Sequence, residues 1–275
     1  MNSFDVILDQ ISSPGIFAAK LWISEGSRAD PLGQKGIHQL LGSLLARGCG
    51  PYDHISIADL VEGCGAGLRC DTYEDGILMS LKCSDRDMSQ LLPLLGWMVL
   101  KPHLDADQIK LEKELSLQVL QRQKENPFQV AFDNWRYLAY GDSPYGHDPI
   151  GTRKDLTHLT RNELSVIGAK LPIRKTVLSL AGNLPEDLFK RLEKMEPFTF
   201  WPKETPTQRL EINKKTKSIF NEAHSRDFSL ETAQTNQVVI MLGQPTFAHG
   251  HSEDLGLRLI SCHLGSGMSS VLFKR

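Results

Sequence analysis

The chain has 275 residues, of which 40% are hydrophobic, and 31 basic against 33 acidic residues give it a net charge of −2. This length suggests about two domains or one large one, and the balanced charge favours neither nucleic acid nor an anionic membrane as a partner. The longest nearly uninterrupted apolar run, Leu91 to Leu100, is about half of what a bilayer span needs. The first residues, Met1 to Asp5, lack the basic and apolar regions of a signal peptide. We therefore expect a cytoplasmic protein without a membrane span.

The cysteines are odd in number, five, and no two have CxxC spacing. They are predicted to be free thiols in a reducing compartment. A metal site that uses Cys49 and His54 is the alternative, but this spacing fits no tetrahedral ligand pattern.

Hydrophobic periodicity predicts several elements in the first half of the chain. The pattern of Phe17–Ile23 indicates a strand, and residues 67–73 and 77–82 form a predicted hairpin around an Asp-Gly turn. Apolar residues at helical spacing predict helices over 37–45, 55–62, 87–99, 105–124 and 128–140.

The second half is predicted to contain strands at 176–181, 208–212 and 237–242 and helices at 185–195 and 253–264. The order strand, loop, helix and glycine at 17–50 returns at 237–267, which hints at two related domains. Strands and helices are mixed with few βαβ units, so the sequence predicts an α+β fold.

Two segments before and within the first long helix carry a recognisable pattern: Gly26-Ser27-Arg28-Ala29-Asp30 and Gly36-Ile37-His38-Gln39-Leu40-Leu41-Gly42. They resemble the entry to the active-site helix of the pitrilysin/insulinase-type zinc metallopeptidases, the family that contains the mitochondrial processing peptidases. In that family the helix carries H-x-x-E-H. Two histidines four apart on one helix face bind zinc, and the glutamate between them activates the bound water.

Further segments match the same family in order along nearly the whole chain. They are the Glu112–Pro127 helix end, the loop 143–152 (SPYGHDPIGT), the strand 180–184 (LAGNL) and the segment 264–273 (LGSGMSSVLF). The resemblance implies two related domains of largely antiparallel sheet with helices on one face. The first would span residues 1–170, and residues 171–275 would begin the second, which we expect to be incomplete at the C-terminus.

The positions that carry the family's chemistry are changed. Of the helix motif only His38 remains, since the general-base position is Leu41 and the second zinc-ligand position is Gly42. Aligning Glu125-Asn126-Pro127 with the family places its distal Glu ligand at Val119. One imidazole cannot hold a catalytic zinc, which takes three protein ligands. We therefore predict no metal and no catalytic residue, with Leu41 and Val119 packed into ordinary core.

The resemblance implies a role for such a chain. Some family members act as heterodimers in which a subunit without the motif binds substrate beside a zinc-bearing partner. We predict a zinc-free subunit of this kind, inactive alone, that binds an extended peptide while a homologous partner holds the zinc and performs hydrolysis. Two alternatives stay open: a structural core subunit of a larger complex, and an active zinc metallopeptidase with atypical ligands.

Gly265, Ser266 and Gly267 are weak candidates for substrate binding, because the family's non-catalytic processing subunit carries a long glycine-rich loop there. The segment here is much shorter, and a helix-ending glycine turn is the simpler interpretation. The family's Arg and Tyr pair, supplied by the non-zinc partner, would fall after Arg275 and cannot be assigned.

Overall fold

A computed structural model describes residues 4–12, 15–202, 228–232, 236–243, 246–248 and 250–274. Its strands are β1 (Asp5–Gln10), β2 (Phe17–Ile23), β3 (Gly48–Cys49), β4 (Tyr52–Asp53), β5 (Gly67–Thr72), β6 (Ile77–Cys83) and β7 (Thr176–Gly182). Five of them form one sheet in the order β1-β7-β2-β6-β5. The β1–β7 pair is parallel and the other three pairs are antiparallel, so the sheet is mixed.

The described helices are α1 (Ile37–Leu45), α2 (His54–Gly63), α3 (Met88–Leu100), α4 (Ala106–Glu125), α5 (Pro127–Tyr140), α6 (Arg153–His158), α7 (Arg161–Gly168), α8 (Leu188–Lys194) and α9 (Asp254–Gly265). Side chains alternate along the central strands, as period-2 patterning requires, and β2 buries Phe17, Ala19, Leu21 and Ile23. α1 and α3 pack against the sheet, and α4 packs against α1. None of the helices in these ranges is long and apolar enough to cross a membrane.

The predicted α+β class is confirmed, and most predicted elements of the first half are present. β2 and α1 have the predicted bounds, and the hairpin is β5–β6. Five elements were not predicted: β1, β3, β4, α6 and α7. The strand predicted at 237–242 is wrong, because those residues form no strand. The strand predicted at 208–212 lies outside the described residues.

The strand β7 has a different place from the one expected. The family resemblance indicated that 180–184 opens a second domain, but β7 lies inside the first sheet, hydrogen-bonded to both β1 and β2. A boundary between residues 170 and 171 would therefore cut through this sheet. The division of the chain into two related domains stays a prediction.

Candidate functional site

The helix α1 begins where a loop crosses its N-terminus closely. Gly36 precedes the helix with a φ of 94°, and a Cβ there would lie 2.2 Å from the carbonyl oxygen of Ile150. Gly151 has a φ of 88°, and a Cβ on it would lie 2.1 Å from the carbonyl oxygen of Lys35. Only glycine combines a positive φ with such an approach. The two glycines of the motif segments thus hold loop 143–152 against the start of α1.

His38, the retained motif histidine, is completely buried between two carboxylates. Its Nδ1 lies 2.6 Å from Asp30 Oδ1, a charge-assisted hydrogen bond. Its Nε2 lies 3.5 Å from Glu25 Oε1, the distance of an ion pair. Both ring nitrogens therefore face protein carboxylates within the described structure.

The two carboxylates have further partners. Asp30 Oδ2 accepts a 2.6 Å hydrogen bond from the Gly36 backbone N–H and lies 3.1 Å from His147 Nε2. Glu25 forms an ion pair with the Arg174 guanidinium, whose Nη2 donates to Glu25 Oε1 over 3.2 Å. We call Glu25, Asp30, His38, His147 and Arg174 the buried ion network. It joins the loop before α1, the loop 143–152 and the chain just before β7.

The charges in this network support one another. Burial would lower the pKa of His38, but the hydrogen bonds and charges of Asp30 and Glu25 outweigh it and raise that pKa. Burial would likewise raise the pKa of Asp30 and of Glu25. In Asp30 the hydrogen bonds from His147, His38 and Gly36 outweigh burial and lower the pKa. In Glu25 the interactions with His38 and Arg174 outweigh burial and lower the pKa. The hydrogen bonds and charges of the network thus favour the charged form of all three groups.

These shifts predict the pH dependence of stability. Because the folded pKa of His38 lies above its ordinary 6.5, its stabilisation is complete below pH 6.5 and is lost as pH rises through the folded pKa. Because the folded pKa of Glu25 lies below its ordinary 4.5, its stabilisation is lost as pH falls from 4.5 through the folded value. Urea unfolding across pH should therefore give maximum stability between these limits. A stability that rises steadily from pH 6.5 to pH 9 would contradict this.

The other two positions of the helix motif are filled by packing. Leu41 is completely buried, and its Cδ1 lies 3.7 Å from where a Cβ on Gly168 would be. At Gly42 a Cβ would lie 2.2 Å from Thr72 Oγ1 and 3.9 Å from Cys70 Sγ. A side chain at position 42 would thus meet the Thr72 hydroxyl of β5, which lies in the space that a second histidine ligand would need.

Val119 does not lie where it was expected. The sequence predicted it to be core beside Leu41, but it is 41% exposed, and Leu115 and Leu111, one and two turns earlier on α4, are exposed to a similar degree. The periodicity identified one face of α4 correctly, but within the described residues that face is not covered. The buried acidic residue of α4 is Glu112, which pairs at 2.7 Å with Arg47, two residues after the end of α1.

The residues at the four motif positions do not fit a zinc ion. Leucine, glycine and valine supply no ligand atom, and both nitrogens of His38 face carboxylates. In the described ranges no three His, Cys, Asp or Glu side chains are arranged to hold a metal, and this includes the alternative of Cys49 with His54. Cys49 is a buried free thiol whose pKa is raised by burial to about 12. That the chain binds no zinc remains a prediction.

The remaining candidates, Gly265, Ser266 and Gly267, lie at the end of α9. Gly265 is its last residue, and Gly267 has a φ of 79°. This is a helix-ending glycine turn, and the three residues have no contact with the buried ion network among the described interactions. Their part in substrate binding stays a prediction.

Sequence reasoning missed most of the buried ion network. Asp30 and His147 stand in the motif segments, so the sequence could have suggested that Asp30 links His38 to His147. Glu25 comes just before the first segment. Arg174 has no local signal, because only the folded sheet brings it to Glu25 across 149 residues of chain.

An open sheet edge lies next to the motif helix. β5 is the last strand in the sheet, pairing with β6 on one side only, and no described residue pairs with its other side. It packs on α1, where Thr72 Oγ1 donates a 3.4 Å hydrogen bond to the His38 carbonyl oxygen. Backbone donors and acceptors are thus available beside the degenerate motif.

Comparisons with solved structures show the same fold. A peptidase M16 inactive domain from Pseudomonas fluorescens superposes with a TM-score of 0.66 at 24% identity, over 74% of this chain and 49% of that one. A protease from Helicobacter pylori gives a TM-score of 0.75 at 16% identity, over 100% of this chain and 66% of that one.

Sequence comparisons agree. The chain is 22% identical over 270 residues to an uncharacterized zinc protease of Mycobacterium leprae, covering 98% of this chain and 60% of that protein. It is 25% identical over 217 residues to the mitochondrial-processing peptidase subunit beta of Neurospora crassa, covering 78% and 45%. The chain thus spans about three fifths or less of the length of these relatives. Residues 6–153, more than half of the chain, match the family described as Insulinase (Peptidase family M16), and the chain belongs to that family.

Proposed function

We propose that this chain is a zinc-free, peptide-binding subunit of an insulinase-like processing peptidase, and that a homologous zinc-bearing partner performs the hydrolysis. The main support for this proposal is the change in α1, where Leu41 and Gly42 stand at positions that bear the family's glutamate and second histidine. His38 serves a buried ion network, and Thr72 closes the space beside Gly42. A chain that keeps the family's fold while lacking its ligands is suited to bind substrate rather than to cut it.

The surroundings of the motif support peptide binding. The unpaired side of β5 offers backbone hydrogen bonds to an extended chain, the mode called β-augmentation. The stripe of Leu111, Leu115 and Val119 on α4 is also exposed, and α4 packs on α1, the helix that contacts β5. The Neurospora relative is named as a subunit of a processing peptidase, which favours a paired arrangement for this chain too.

No route to hydrolysis by this chain alone follows from its residues. Peptide hydrolysis near neutral pH needs an activated water, which this family prepares with zinc and the motif glutamate. Here the glutamate position is Leu41, a buried hydrocarbon. Catalysis would therefore belong to the partner, and this chain would contribute binding and orientation of the substrate.

The test is a fluorogenic-peptide assay on the full-length gene product, on a zinc-bearing homologue from the same host, and on their mixture. We expect no cleavage by this chain alone and about ten-fold higher turnover in the mixture, because positioned substrate reacts faster. A chelator should abolish the mixture's activity. Cleavage by this chain alone would contradict the proposal and favour an active metallopeptidase. Recovery in a large assembly without peptide binding would favour the structural-subunit alternative.

A further inference from the structure

We propose that the open edge of β5 selects peptides with a particular alternation: apolar residues toward the helices and, on the opposite face, a basic residue followed two positions later by an acidic one. This inference rests on the peptide-binding function proposed above and adds which peptides are bound. The evidence for it is the side chains on the two faces of β5.

The backbone register defines the two faces of β5. Leu68, Cys70 and Thr72 pair with the buried residues of β6 and so face the helices. Arg69 and Asp71 therefore point to the opposite face of the sheet. A strand added to the open edge would lie about 4.8 Å away and would present its own side chains alternately to the same two faces.

Charge distinguishes the face away from the helices. Arg69 Nε donates a 2.7 Å hydrogen bond to Asp71 Oδ1, and the two side chains remain 76% and 24% exposed. The residues directly opposite them on β6 are uncharged, Ser80 opposite Arg69 and Leu78 opposite Asp71, and the charged residue on that face of β6 is Lys82, diagonal to Arg69. The charges of both residues can therefore be complemented from the open side, where directly opposed residues of an added strand approach to about 5 Å.

The direction of the added strand sets the order of charges. β5 is antiparallel to β6, and antiparallel pairs are slightly more stable per residue than parallel ones. In an antiparallel addition the residue opposite Asp71 precedes the residue opposite Arg69 by two positions. The matching peptide therefore reads Lys-x-Glu from its N-terminus, with x on the helix-bearing face.

The helix-bearing face favours an apolar x. α1 packs on that side of β5, and α4 packs on α1 with its stripe of Leu111, Leu115 and Val119 exposed. An apolar side chain there removes apolar area from water, whereas a charged one would lose hydration without a partner. The preferred pattern is apolar-Lys-apolar-Glu-apolar.

Fluorescence anisotropy with the full-length chain tests this inference. Three labelled peptides are compared: the preferred pattern, the same composition with Lys and Glu exchanged, and the preferred charges with serine at the apolar positions. We expect the preferred peptide to bind about five-fold more tightly than the exchanged one, from two cross-strand charge pairs. The double variant Arg69→Asp with Asp71→Arg should reverse this preference.

Matched variants control for general effects of charge and apolar surface. Lys20 of β2 lies on the same face of the sheet as Arg69 but two strands further from the open edge. Ser80 of β6 stands between them and pairs with both. Lys20→Glu should leave the order of preference unchanged. Val119→Ser should reduce the advantage of apolar over serine peptides several-fold. Ile7→Ser, on β1 at the far edge of the sheet, should not reduce it.

The outcomes separate the two proposals. If the unmodified chain binds none of the peptides, the peptide-binding function fails and this inference fails with it. If it binds all three equally, or if the charge-exchanged double variant keeps the original preference, the function stands and the inference is overturned.

Discussion

Leu41→Glu should destabilise the protein by about 4 kcal/mol, because it restores the family's glutamate at a site that no longer accommodates one. Leu41 is completely buried and packs near Gly168. The new carboxylate would lose its hydration inside the hydrophobic core to which Leu41 belongs. Urea unfolding measures the change directly.

Val119→Glu is the matched control for this substitution. It also restores a family carboxylate, but Val119 is 41% exposed, so the new side chain keeps contact with water. We expect a loss below about 1 kcal/mol. Equal destabilisation by the two variants would show that the face of α4 is covered in solution, and a small effect of Leu41→Glu would show that the motif site is open to water.

His38→Leu should cost about 3 kcal/mol, because it removes the imidazole that lies between two buried carboxylates. Asp30 would keep the Gly36 N–H and His147, and Glu25 would keep Arg174. These remaining contacts limit the cost without removing it. The alkaline decline of stability should also disappear in the variant, since His38 is the group whose raised pKa causes it.

His54→Leu, at the exposed first residue of α2, is the control and should change stability by less than about 0.5 kcal/mol. If His38→Leu were no more destabilising than His54→Leu, the buried ion network would contribute nothing to folding. A retained alkaline decline would assign that decline to another group.

Local patterns predicted the elements that bury a strong periodic face. α1 shows this, because its leucines repeat at helical spacing and all lie in the core. α6 and α7 were missed, although the start of α7 carries a capping box of Thr160 and Glu163, a signal visible in the sequence. These helices are short, and a cap without a long periodic stretch was not sufficient to predict them.

The site was predictable at the level of residue identity but not of environment. The motif alignment identified His38, Leu41, Gly42 and Val119, yet periodicity alone placed Val119 in the core. The spacing of Leu111, Leu115 and Val119 shows that they share a face of α4, but whether that face is covered depends on residues far away in sequence. Arg174 was missed for the same reason, because sheet pairing brings it to Glu25.

The central claim, that the motif helix holds no zinc, is tested most directly by the zinc content of the full-length protein. Elemental analysis after purification without chelators should find a negligible amount, while an insulinase-type relative with an intact H-x-x-E-H motif, prepared in parallel, should hold about one zinc per chain. About one tightly held zinc per chain in this protein, lost on His38→Ala, would contradict the account.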